Sequence, residues 1–221
     1  MAQRVPLPAG AEPAPDCTLC PRLAAFRAAN RSKEPTWHNA PVPSFGGLDA
    51  RLLIVGLAPG RMGANRTGRP FTGDYAGDLL YRALQRAGFA SGHYDRRADD
   101  GFQLKGVRVT NAVRCAPPEN KPTPAEIGAC NGFLKSEIAR MPKLAGLLAL
   151  GGIAHNAVLA ALGERKSRFP FAHGAEHRLT NGLFLADSYH CSRLNTNTGR
   201  LTEAMFDAVL AGIARRLALA N

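Results

Sequence analysis

Residues 51–60 read Arg51-Leu52-Leu53-Ile54-Val55-Gly56-Leu57-Ala58-Pro59-Gly60, a short apolar run that breaks into glycine and proline. A strand with one face in water alternates apolar with polar residues, whereas a strand covered on both faces is continuously apolar, as here. Three further runs have the same character: Val107 to Val113, Ala145 to Gly151 and Leu183 to Tyr189. Helical patterns alternate with them at Asp74 to Ala87, Pro124 to Arg140, Ile153 to Leu162 and Leu201 to Leu219. The alternation predicts an α/β protein with a parallel sheet between helical layers. Ligand sites in such sheets lie beyond the carboxyl ends of the strands, which directs attention to three loops.

The first loop continues from Gly60 through Arg61-Met62-Gly63-Ala64-Asn65-Arg66-Thr67-Gly68-Arg69-Pro70-Phe71-Thr72-Gly73-Asp74. Its glycines let backbone amides approach a ligand, and three arginines lie among them. No Gly-Lys-Ser/Thr follows, so it is neither a Walker A loop nor a dinucleotide fingerprint. Asp74 stands where a helix should begin, which suits an N-cap as well as a functional carboxylate. The second loop carries Asn111, whose amide offers a donor beside an acceptor and can read a base edge or satisfy a local turn. Four prolines between Pro117 and Pro124 stiffen the rest of this loop. The third, Tyr189-His190-Cys191-Ser192-Arg193-Leu194-Asn195-Thr196-Asn197-Thr198-Gly199-Arg200, leaves its strand with a histidine and enters a polar turn with two arginines. Leu194, between Arg193 and Asn195, is placed as an apolar wedge for a base stack.

Composition narrows the partner. The chain has 221 residues, of which 45% are hydrophobic and 20% charged, so disorder throughout is excluded and one domain over residues 17–221 is the economical reading. Residues 1–16, rich in Ala, Pro and Gly, read as a loose N-terminal arm. Apolar runs are too short to cross a bilayer and no secretory signal is present, so a soluble, cytoplasmic protein without a membrane partner is expected. Twenty-eight Lys and Arg against 17 Asp and Glu give a formal charge of +11. That field favours a polyanion, although it also serves solubility. The stretch from Arg165 to Arg168, near His173 and His177, is either a solvated face or a phosphate contact. His155 falls in an Ala-rich helical pattern and His38 in a loop.

Five cysteines without an export signal are an improbable disulfide framework. Cys17 and Cys20 form a C-x-x-C, and Cys115 and Cys130 complete a set of four thiols. The spacing admits a structural zinc or a [4Fe–4S] cluster equally. Cys191 reads as a small buried hydrophobe.

Taken together, Gly56 to Gly60, Phe71-Thr72-Gly73-Asp74, Asn111 with Cys115, and His190 through Gly199 resemble the uracil-DNA glycosylase superfamily, from Cys17 to about Leu201. The likeness is to its family 5, the type-b enzymes, because family 4 has Glu where this chain has Leu57. It implies a three-layer α/β/α fold with a central four-stranded parallel sheet, and a [4Fe–4S] cluster on Cys17, Cys20, Cys115 and Cys130. It further implies that Asp74 is the motif carboxylate, His190 the anion stabiliser, Phe71 the ring that stacks on a flipped base and Asn111 the base reader, with Gly60 beside the base. Arg61, Asn120, Arg193, Leu194, Asn195 and Arg200 are the expected DNA contacts. The implied activity is hydrolytic excision of uracil, with hypoxanthine and xanthine as second substrates, from double- or single-stranded DNA by a monomer. Cys191 departs from the Pro common at that position, and the Arg-Arg-Ile-His insertion that lets a relative trap the abasic sugar is missing. A non-catalytic DNA-binding iron–sulfur protein would keep the charge and the cysteines but has no need of Asp74 together with His190. A nucleotide-binding α/β enzyme would use the glycine loop for a soluble phosphate ligand.

Overall fold

The computed structural model describes residues 12–219. In chain order its elements are α1 (Pro21–Lys33), β1 (Leu52–Gly56), α2 (Ala64–Thr67), α3 (Tyr75–Arg86), β2 (Ala90–Ser91), β3 (Gln103–Leu104), β4 (Val107–Asn111), α4 (Pro124–Ala139), β5 (Gly146–Leu150), α5 (Gly152–Leu162), β6 (Glu176–Arg178), β7 (Phe184–Ser188), α6 (Arg193–Asn197) and α7 (Glu203–Leu219). The main sheet runs β4-β1-β5-β7-β6. Its first four strands are parallel and β6 is antiparallel to β7.

The four parallel strands are the four apolar runs, and every residue in them is buried. Side chains alternate between faces. Leu52, Ile54, Leu148 and Phe184 pack with Leu80 and Leu84 of α3 and Phe206 and Leu210 of α7. Leu53, Val55, Leu147 and Leu185 face the other way, onto Leu134 of α4 and Val158 of α5. These two cores make the three layers. A smaller apolar cluster, of Leu23, Val113, Cys130 and Phe133, joins α1 to α4.

The sheet has one strand more than the four expected. Glu176–Arg178 adds an antiparallel edge only three residues long, with two exposed charged residues. So short and polar a segment has no apolar signature, and charge on an edge strand discourages pairing with other chains. The small β2–β3 hairpin and α1 are further additions to the expected elements, and the turn after His190 is the short helix α6, capped by the Ser192 hydroxyl, which accepts from the Asn195 amide. The proline-rich loop forms a single 3-10 turn at Pro118–Asn120, and the basic stretch another at Lys166–Arg168. Of the expected N-terminal arm, residues 12–16 are fastened to the body. Glu12 accepts from Arg114 Nη1 at 2.7 Å, and Asp16 Oδ1 from Arg31 Nη1 at 2.6 Å. The rest of the arm lies outside the described residues. Among the described residues no helix is long and apolar enough to cross a membrane.

One polar cluster is buried beside the sheet. Glu137 of α4 is fully buried and accepts from Arg108 Nε at 2.6 Å and Arg114 Nη2 at 2.5 Å. Glu12 answers the same two arginines from the other side, at 3.1 Å from Arg108 Nη2 and 2.7 Å from Arg114 Nη1. Two cations and two anions therefore balance out of water. Removing one carboxylate strands a buried guanidinium, which costs far more than the net worth of the intact pair. Glu137→Ala should lower stability by about 3–5 kcal/mol in denaturant unfolding. A loss below ~1 kcal/mol would show that Arg108 and Arg114 do not depend on it.

Candidate active site

The carboxyl ends of β1, β4 and β7 open on one pocket of about 540 Å³. It is lined by Gly60, Phe71, Asp74, Asn111, Asn120, His190 and Arg193, together with Leu57, Ala58, Pro59, Ala64, Tyr75, Ala76 and Ser192. All three loops singled out in the sequence meet here.

Asn111 ends β4 and pairs in register with Gly56, the last residue of β1. A Cβ on Gly56 would lie 2.4 Å from Phe71 Cζ and 2.5 Å from Asn111 Oδ1. The absence of a side chain at Gly56 is therefore what lets the ring and the amide share the pocket floor. Phe71 is buried and holds φ at +51°, a left-handed conformation that a bulky residue adopts only under constraint. Its ring lies 6.0 Å from the His190 ring, tilted by 31°. Asn111 Oδ1 is buried and has no hydrogen-bond partner.

Asp74 caps α3, as its position in the sequence suggests. Oδ1 accepts from the Gly77 amide at 3.1 Å. The carboxylate packs so closely on the glycine loop that a Cβ on Gly63 would lie 2.4 Å from Oδ2. Burial pushes its pKa above the ordinary 3.8, the Gly77 amide opposes the shift, and Asp78 adds to it. Burial moves His190 the other way, below the ordinary 6.5, so its ring is neutral at pH 7. The His190 carbonyl accepts from Asn195 Nδ2 at 2.8 Å, which ties the histidine to α6.

The expected DNA contacts divide. Asn120 and Arg193 line the pocket, and Arg193 also lies over the Tyr75 ring at 5.4 Å. Leu194 projects from α6 and is 73% exposed, the exposure a wedge requires. Arg200 stacks on Tyr189 at 4.5 Å, outside the pocket lining. Arg61 is turned toward α1. It donates to Asn30 Oδ1 at 2.7 Å, pairs with Glu34 at 3.6 Å and covers the Trp37 ring at 5.1 Å. Sequence reasoning missed Tyr75, a half-exposed ring at the pocket wall whose only signal was its place directly after Asp74.

The four expected cysteines line a second, smaller cleft with Leu23, Arg27 and Phe133. All are free thiols. Burial raises the pKa of Cys20 to about 11 and of Cys130 to about 12, and pushes Cys115 up as well. Arg27 Nη1 donates to Cys115 Sγ at 3.6 Å, and the Arg114 amide to Cys130 Sγ at 3.4 Å. Cys191 is fully buried, the small hydrophobe expected.

A sequence profile of the uracil DNA glycosylase superfamily matches residues 43–214, a span that contains the whole sheet and the pocket. The chain belongs to this superfamily. Within it, the type-5 uracil-DNA glycosylase of Thermus thermophilus is 51% identical over 208 residues, 91% of this chain and 94% of that protein. The type-5 enzyme of Mycobacterium leprae is 44% identical over 211 residues, 91% of each chain. That of Pyrobaculum aerophilum is 41% identical over 207 residues, 92% of this chain and 88% of its own.

Proposed function

We propose that the protein is a DNA repair glycosylase that flips uracil out of DNA into this pocket and hydrolyses its N-glycosidic bond, leaving an abasic site. The observation that carries the reading is the unpartnered Asn111 Oδ1 on the pocket floor. A buried acceptor left unpaired costs about 1–3 kcal/mol, and the imide N–H of uracil is a donor of the right kind. Phe71 supplies the flat apolar face on which a flipped base stacks.

The chemistry follows from the two titratable groups. As the bond between C1′ and the base breaks, its electron pair leaves on the base and the sugar becomes oxocarbenium-like. Neutral His190 donates a hydrogen bond to the anionic base, and the Asp74 carboxylate favours the cation. Asp74 also orients the water whose oxygen bonds to C1′ and accepts the proton it releases, which passes on to the departing base. Asn195 acts through His190 as a positioning residue. Arg193, Asn120 and Arg200 meet the DNA backbone, and Leu194 fills the gap left by the flipped nucleotide. A volume of about 540 Å³ is in the range that holds drug-sized ligands, about 300–1,000 Å³, so hypoxanthine and xanthine also fit as substrates.

Cys17, Cys20, Cys115 and Cys130 are the residues that would hold a [4Fe–4S] cluster. A tetrahedral zinc with Zn–S near 2.3 Å draws its sulfurs to within about 3.8 Å of one another. Among the described residues, the cluster of metal-binding side chains with ligand atoms within 4.8 Å of one another is not formed by these cysteines, whose sulfurs stand further apart. Thiols whose pKa is raised by burial ionise when iron binds, and N–H donors from Arg27 and the Arg114 backbone already face two of the sulfurs. Hydrolysis transfers no electron, so the cluster would be a structural fastening of the start of α1, the loop after β4, and α4. A cytoplasmic compartment keeps such thiols reduced.

Single-turnover reactions on oligonucleotides with one uracil, hypoxanthine or xanthine, followed by alkali, test the activity. Asp74→Asn should lower uracil excision by about 10²-fold or more while DNA affinity holds. The wild-type rate should fall with an apparent pKa above 3.8 as acid protonates Asp74, and this limb should vanish in the variant. Wild-type rates in Asp74→Asn, or an unchanged acid limb, would place the chemistry elsewhere. For the cluster, purified protein should be brown with about four irons per chain, and Cys115→Ala should lose both colour and iron. One zinc and no iron would refute it.

A further inference from the structure

We propose that His155, His177 and Asp187 form a second metal site, for a zinc-class divalent cation, independent of the cysteine set and of the excision reaction. The three residues come from three elements, and the topology brings them together. His177 of β6 pairs in register with Leu185 of β7, and Asp187 lies two residues on, hence on the same face. That face is covered by α5, where Leu185 packs among Ala154, Ala157 and Val158, and α5 also carries His155. One ligand atom from each residue lies within 4.8 Å of the others.

The polar pairing is incomplete without a cation. Asp187 is fully buried, and its Oδ1 lies 2.7 Å from His155 Nδ1. Its Oδ2 and His177 Nε2 are 3.4 Å apart, yet neither has a hydrogen-bond partner. A buried carboxylate oxygen and a buried imidazole nitrogen, both unpaired and facing the same point, are a costly arrangement in an apolar surround. A cation shared between them removes the cost. His155 already has the outer hydrogen bond that metal-binding histidines use: Nε2 lies 2.8 Å from the Phe169 carbonyl, which leaves Nδ1 as the ligand atom.

Two imidazoles and a carboxylate suit zinc, cobalt or nickel, whereas calcium and magnesium require more oxygens. None of the three residues lines the active-site pocket or the cysteine cleft. The cation would be structural, clamping the three-residue edge strand β6 to β7 and α5.

The iron-loaded holoprotein is dialysed against micromolar zinc and then against metal-free buffer, and its zinc is counted and examined by X-ray absorption. One zinc per chain with a first shell of nitrogen and oxygen alone, and a thermal midpoint raised by zinc, are expected. His177→Ala breaks no hydrogen bond, because Nε2 makes none. It should melt like the wild type in chelator, hold at least ten-fold less zinc and lose the zinc-dependent rise. A sulfur shell, zinc retained undiminished by His177→Ala, or no zinc held by the wild type would each overturn the proposal and leave a metal-free His155–Asp187 pair as the occupant of the site.

Discussion

The site depends on the pairing of Gly56 with Asn111 at the carboxyl ends of two adjacent parallel strands. Register in a buried parallel sheet is strongly specified, because a slip of one residue turns every side chain to the wrong face. Leu52 and Ile54 belong to one core and Leu53 and Val55 to the other, so β1 has a single acceptable setting. That setting puts the one residue without a side chain directly beside Asn111. Phe71 then occupies the vacated space, its backbone bent into a left-handed conformation, and three residues later the chain caps α3 with Asp74. Packing of the sheet thereby places a flat ring, an unpaired acceptor and a buried carboxylate within one pocket.

The same burial sets the electrostatics. Desolvation disfavours charge, so it raises Asp74 and lowers His190, opposite shifts from one cause. A neutral imidazole that donates and a carboxylate that must be ionised to act are both available at neutral pH. The surface provides the complementary feature. With a formal charge of +11, the protein attracts a phosphate backbone at long range, while the pocket offers little to an undamaged paired base. Affinity and selectivity are thus separate devices, one spread over the arginines and one confined to the floor of the pocket.

Much of this is legible in the sequence, for physical reasons. Strands covered on both faces announce themselves as apolar runs, so β1, β4, β5 and β7 stand out. Strand ends then point to Asp74, Asn111 and His190, which line one pocket. The edge strand β6 is not visible, because three residues with two exposed charges carry no periodicity. Helix α1 is hidden because two of its three buried residues, Arg27 and Asn30, are polar. Partner choice is the other blind spot. Arg61 and Asn195 read as DNA contacts, yet Arg61 is held by Asn30 and Glu34, and the Asn195 amide donates to the His190 carbonyl. Long side chains show their charge in a sequence but not the partner that charge will meet.

The central claim is that Asn111 Oδ1 waits for the imide N–H of a flipped base. Calorimetric titration of the protein with free uracil and with 3-methyluracil addresses it directly. The two differ in that one donor, and a methyl group in its place would also press on the pocket floor. Uracil should bind, and 3-methyluracil should bind at least ten-fold more weakly, since a missing hydrogen bond to a buried acceptor is worth about 1–3 kcal/mol. Equal affinity for the two would contradict the account, because the base would then be held without Asn111.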